Sequence, residues 1–195
     1  GITLKQLISG TGPMPEQRAV WILNQLLEAV GFAHKKGIIH RDIKPSNILI
    51  KKDDSVKILD FGIAKILQDK GLTKTGTKMG TVYYMSPEQF SGEKVDGRSD
   101  IFSLGVMMYQ LMTGQLPFYA DNPAALMHKI VNEPHPDPRK LNPGIVKPVV
   151  TVLNNALTKD RQKRYQKASL MCTHLRQIGE RMDILKARKK KKNRA

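Results

Sequence analysis

The chain of 195 residues is short of cysteine, aromatics and acid. It has one cysteine, one tryptophan, 6% aromatic residues, and 17 acidic side chains against 33 lysines and arginines. With Cys172 alone no internal disulfide forms, so stability must come from a packed core, and a reducing compartment suits it. No apolar run approaches the roughly 18 residues of a membrane span, and no stretch reads as a secretory signal. A cytoplasmic location is the expectation. No internal repeat is visible. What remains is 40% hydrophobic and 26% charged, the composition of an ordinary globular domain with one core. At this length folding removes roughly 70% of the surface an unfolded chain exposes. A first residue of glycine leads us to expect a processed product or a fragment.

The net charge of +16 is uneven: "KARKKKKNRA", residues 186–195, carries seven basic and no acidic side chains and leaves nine positive charges to the rest. Such a block repels itself and reads as a solvated, disordered tail from about residue 183. An anionic membrane surface is a possible partner. Nucleic acid is the weaker alternative, since no aromatics interleave the basic residues for stacking.

In "PEQRAVWILNQLLEAVGFAHKKG", Val20, Leu23, Leu26, Leu27 and Val30 recur at helical spacing. Pro15 suits the first turn, and Gly37 after Lys35 and Lys36 suits the stop. Two apolar runs, "NILI" and "VKIL", flank the polar "KKDDS" and predict a hairpin. From Asp60 to Tyr84, with Gly62, Gly71, Gly76 and Gly80, a long loop is expected, and loops of that length tend to be functional. "SPEQF" opens with Ser86 as cap, Pro87 next and Gln89 three after the cap, a capping box. "DIFSLGVMMYQLMTG" is apolar nearly all round and belongs inside the domain. Further helices are expected after Asn122, at about 146–157 and at 167–182, with a Pro-rich connection before the second.

Chemistry-bearing residues cluster in "IIHRDIKPSNILI", residues 38–50. Singly each has a plain reading: Asp42 and Asn47 as turn residues, His40 as packing, "DFG" at 60–62 as a strand ending in a turn. Their order is more specific. Histidine, arginine and aspartate are followed by lysine two on, asparagine five on, a strand, Asp60-Phe61-Gly62, a threonine-rich loop and Ser86-Pro87-Glu88.

That order resembles the C-terminal lobe of eukaryotic-type (Hanks-type) serine/threonine protein kinases, from Gly1 to at least Arg164. The resemblance implies a mainly α fold with a small β-hairpin at the catalytic loop, over residues 1–182, with the N-terminal β-rich lobe absent. It implies ATP and Mg2+ as cofactors and serine or threonine hydroxyls of proteins as substrates. Asp42 falls where the family orients the attacking hydroxyl, Lys44 where a cation meets the transferred phosphate, and Asn47 and Asp60 where oxygen ligands hold metal. Leu49 matches the apolar floor beneath adenine. Thr81 matches the threonine that bonds the catalytic aspartate and lysine, and with Lys44 it favours the serine/threonine class. His40 and Phe61 match residues that stack in the active conformation. Asp100 matches the aspartate that ties the buried helix to the catalytic loop, and Glu88 with Arg164 matches a buried ion pair. Arg41 is expected to meet a phosphate on Thr73 or Thr75, with Thr77 a third candidate and a second kinase copy the donor.

The sequence departs from the family in lacking a G-x-G-x-x-G loop and a Val-Ala-Ile-Lys strand. Phosphoryl transfer by these residues alone is therefore expected to be negligible. Ser86 in place of alanine and Ile43 in place of leucine are mild departures. The rival reading, a catalytically silent protein-binding module, fits poorly with intact Asp42, Asn47 and Asp60.

Overall fold

The structure, a computed structural model, describes residues 1–60 and 82–192. Phe61, Thr73, Thr75, Thr77 and Thr81 lie outside the described residues. Among those described, seven helices surround one apolar core, and a three-stranded antiparallel sheet sits at its edge.

The chain opens with β1 (Ile2–Thr3) and α1 (Leu4–Thr11), neither of which the sequence reading anticipates. The local signal was present: Thr3 and Gln6 form a capping box, with the Thr3 N–H donating to Gln6 Oε1 at 2.8 Å and the Gln6 N–H donating to Thr3 Oγ1 at 3.2 Å. The expected long helix is α2 (Glu16–Lys35), with Pro15 at the N-cap position instead of inside the first turn. Its buried stripe of Val20, Leu23, Leu26, Leu27 and Val30 is the one its periodicity predicts. Gly37, at φ 74°, turns the chain after the helix in a conformation that side chains resist.

"NILI" and "VKIL" become β2 (Ile48–Ile50) and β3 (Val56–Ile58), which pair with Ile48 opposite Ile58; β1 adds to the other edge with Ile2 opposite Ile50. The hairpin is docked on α2 by polar contacts. Arg18 pairs with Asp54 at 2.7 Å, while Gln25 donates to the Asp54 carbonyl and accepts from the Val56 N–H.

After α3 (Pro87–Phe90) comes α4 (Gly97–Thr113), buried on nearly every side as its composition requires. The Asp96 carboxylate caps α4 by accepting from the Arg98 N–H, and Gly114 ends it at φ 76°. Then follow α5 (Pro123–Asn132), capped by Asn122, and α6 (Lys147–Ala156). Last is α7 (Ala168–Lys192), which lies along α2. Thus α7 continues ten residues past its expected end at 182, into the segment expected to be a disordered tail. No glycine or proline interrupts residues 180–192, and Leu, Ala, Lys and Arg are good helix formers. The like-charge pairs work against this by only a few tenths of a kcal/mol each. No described helix is long and apolar enough to cross a membrane.

Candidate active site

The segment between α2 and β2 runs over the end of α4 and is fastened there by one carboxylate. Asp100, 1% exposed, sits in the first turn of α4. Its Oδ2 accepts the His40 N–H at 2.9 Å and a hydrogen bond from His34 Nε2 at 2.8 Å, and its Oδ1 accepts the Arg41 N–H at 2.8 Å. Three donors therefore satisfy a carboxylate that would be costly to bury alone. His34 approaches because residue 97 is glycine: a Cβ there would stand 2.8 Å from the imidazole.

Arg41 has φ 65°, a left-handed conformation that costs a non-glycine residue of order 1 kcal/mol and that surrounding contacts must hold. Its carbonyl accepts from Gln89 Nε2 at 2.9 Å. His40, 1% exposed, accepts the Asp42 N–H on Nδ1 at 3.3 Å, which leaves the proton on Nε2, 3.4 Å from the Leu59 carbonyl.

Asp42 gathers Lys44 and Asn47. Lys44 Nζ lies 2.8 Å from Asp42 Oδ2, and Asn47 Nδ2 donates to the Asp42 carbonyl at 3.0 Å and to Oδ2 at 3.3 Å. Lys44 and Asp42 side chains are 19% and 18% exposed, so the cluster is open to solvent on one side. A 3-10 turn, Pro45–Asn47, with buried Pro45 at its first position, brings Asn47 back over Asp42. The Leu59 N–H donates to the Asn47 carbonyl at 2.8 Å, which sets the end of β3 and exposed Asp60 beside Asn47. Leu49, half-buried, faces away from the core side taken by Ile48 and Ile50.

The arrangement is a single polar network: His40, Arg41, Asp42, Lys44, Asn47 and Asp100 meet, with Asp60 at its margin. Glu88 and Arg164 form a separate pair beneath it. Among the described residues no group of three or more His, Cys, Asp or Glu is placed to hold a metal ion. Two oxygen-bearing side chains, Asn47 and Asp60, still suit magnesium, which takes most of its ligands from phosphate and water. Because Asn47 Nδ2 is occupied by Asp42, its Oδ1 is the group left for a cation.

Glu88 and Arg164 make two hydrogen bonds, of 2.7 and 3.1 Å, and Ser99 Oγ donates to Glu88 Oε1 at 2.6 Å. The other Arg164 donors go to the carbonyls of Arg98, Thr158 and Lys159, so all five guanidinium N–H groups are used. Burial alone would push the Glu88 carboxyl up, but Arg164 and Ser99 hold it below the ordinary value.

Two residues escaped the sequence reading. His34 stands in an amphipathic helix with nothing to mark it, and Gln89 shows only a capping role, although its amide also reaches Arg41.

Comparison with known proteins places the chain in a family. The protein kinase domain family matches residues 1–175, and the chain belongs to that family. Its relatives narrow the class to Hanks-type serine/threonine kinases. It is 41% identical over 182 residues to serine/threonine-protein kinase PknB of Mycolicibacterium smegmatis, covering 92% of this chain and 29% of that protein. It is 40% identical over 173 residues to PknB of Mycobacterium tuberculosis, covering 88% and 28%. The chain thus spans about three tenths of the length of these relatives.

Proposed function

We propose that the chain is the C-terminal lobe of a serine/threonine protein kinase. Completed by an N-terminal lobe, it transfers the γ-phosphoryl group of ATP to serine and threonine hydroxyls of proteins. The observation that carries this reading is the convergence of Lys44 and Asn47 on the Asp42 carboxylate.

Asp42 accepts a hydrogen bond from the substrate hydroxyl and points the attacking oxygen in line; holding a reactant this way supplies part of the roughly 7–11 kcal/mol available from proximity and orientation. Lys44, already beside Asp42, sets its ammonium where negative charge gathers on the transferred group. Asn47 and Asp60 would hold magnesium, which would supply positive charge to offset that of the phosphates. Leu49 supplies an apolar surface for adenine. By the family resemblance Thr81 would bond Asp42 and Lys44, and Phe61 would stack with His40 in the active form. Arg41 meets a phosphate on Thr73 or Thr75, placed there by a second kinase copy. The basic end of α7 faces an anionic membrane surface, with the lobe on the cytoplasmic side.

The test uses the full-length parent chain with magnesium, labelled ATP and a generic protein substrate. Label should appear on serine and threonine, and Asp42→Asn should lower the rate by about 10²–10⁴-fold. Residues 1–195 alone should transfer negligible label. An Asp42→Asn variant as active as the parent chain would overturn the reading.

A further inference from the structure

The peptide unit that joins Arg41 to Asp42 is gripped at both ends. Its carbonyl accepts from Gln89 Nε2 at 2.9 Å, and its N–H donates to His40 Nδ1 at 3.3 Å. A peptide unit is planar, so fixing its two polar ends fixes the plane from which the Asp42 side chain departs. The unit also follows a residue with φ 65°, where the backbone relaxes readily if a restraint is removed.

Gln89 reaches this carbonyl from α3, 48 positions along the chain. Its other terminal atom, Oε1, accepts the Ser86 N–H at 3.0 Å and lies 3.2 Å from Ser86 Oγ. The Ser86 N–H requires an acceptor and the Arg41 carbonyl requires a donor, so only an amide satisfies both. Capping alone would be served as well by glutamate.

We propose that Gln89 is a positioning residue for phosphoryl transfer: by donating to the Arg41 carbonyl it orients the Asp42 carboxylate and ties the Ser86–Phe90 cap to the loop. This rests on the reading of Asp42 as the group that orients the substrate hydroxyl. Displacement of such a group by about 1 Å can cost on the order of a hundredfold in rate. Gln89 touches neither substrate nor nucleotide and acts only through the backbone of Asp42.

The test is Gln89→Glu in the full-length chain. The carboxylate still accepts from Ser86, so α3 stays capped, but the donor to Arg41 is gone. The expected result is a kcat lowered between about tenfold and a hundredfold, with the KM for ATP unchanged. The Asp42 amide should exchange with solvent at least about tenfold faster, and the thermal midpoint should move by no more than about 2 °C. Wild-type exchange at Asp42 in the variant would overturn the clamp, and faster exchange with wild-type kcat would overturn its positioning role. Exchange needs no turnover, so the clamp and the kinase reading fail separately. Should Gln89→Glu not fold, Gln89→Met removes the donor together with the cap acceptor and adds no charge, so it is read on Asp42 exchange and kcat alone and not on the thermal midpoint.

Discussion

Arg164 spans 76 positions of sequence to grip Glu88 in a pair whose side chains are 0% and 3% exposed. The pair joins α3 to the turn after α6 and, through Ser99 and the Arg98 carbonyl, to the start of α4. Truncating one partner strands a buried charge, so Arg164→Leu should destabilise the domain by about 3–5 kcal/mol in denaturant unfolding. Glu88→Gln keeps the shape and should cost less, about 1–3 kcal/mol. The pair also predicts acid sensitivity. The Glu88 pKa is lowered from 4.5 in the fold, so its contribution is present above 4.5 and lost as pH falls through the lower, folded value. Unfolding curves for Glu88→Gln should depend less on pH than wild type below that point.

Lys159 predicts a slope of the same sign at the basic end. Its ammonium caps the carbonyls of Lys129 and Ile130 and lies 3.7 Å from the centre of the Phe118 ring. Burial, then the charge of Arg164, push its amine from 10.5 down to about 7. Between those values the unfolded chain binds the proton and the folded one has released it, so stability rises with pH across that window. The denaturant midpoint should therefore rise between pH 7 and 9, and Lys159→Met should flatten the rise. An identical slope in the variant would show that other groups set it.

Two glycines give a contrast in packing. A Cβ at Gly105 would stand 2.9 Å from Ala156 Cβ and 3.1 Å from Leu157 Cδ2, where α4 crosses α6 in the core. Gly105→Ala should cost about 1–3 kcal/mol. At Gly179 in α7 the nearest atom, Val20 Cγ1, is 3.4 Å away. Gly179→Ala should gain about 0.5–1 kcal/mol from helix propensity. Chemical denaturation of the two variants checks the opposite signs.

The helices α2 and α4 and the β2–β3 hairpin were legible because their signals are local: apolar spacing, caps and a polar turn. The short β1 and α1 were not, since two strand residues carry no periodicity and the Thr3–Gln6 cap lies where no apolar stripe calls attention to it. The end of α7 is not marked by charge, because residues 180–192 keep a helix propensity that their like-charge pairs offset only in part. At the candidate site the identity and order of Asp42, Lys44 and Asn47 could be read. Their support could not: Asp100 meets His34, His40 and Arg41 across 59 to 66 positions, and the second bond of Gln89 spans 48. No spacing rule reports such contacts.

Asp100→Asn isolates the support from the chemistry. The amide keeps one acceptor but turns an NH2 toward the other side, so one of the His40 and Arg41 N–H groups loses its partner in a buried place. Global stability should fall by about 1–3 kcal/mol, the cost of one unsatisfied buried group. Local opening should exceed that loss, because Arg41 holds a strained φ that its N–H bond helps to maintain. Native-state hydrogen exchange separates the two effects: the amides of His40 and Arg41 should lose more protection than core amides of α4 such as Leu104. On the proposed function, kcat should fall with the loop's order while Asp42, Lys44 and Asn47 remain chemically intact. Equal loss of protection at His40, Arg41 and Leu104 would mean that Asp100 serves the whole core and not the loop.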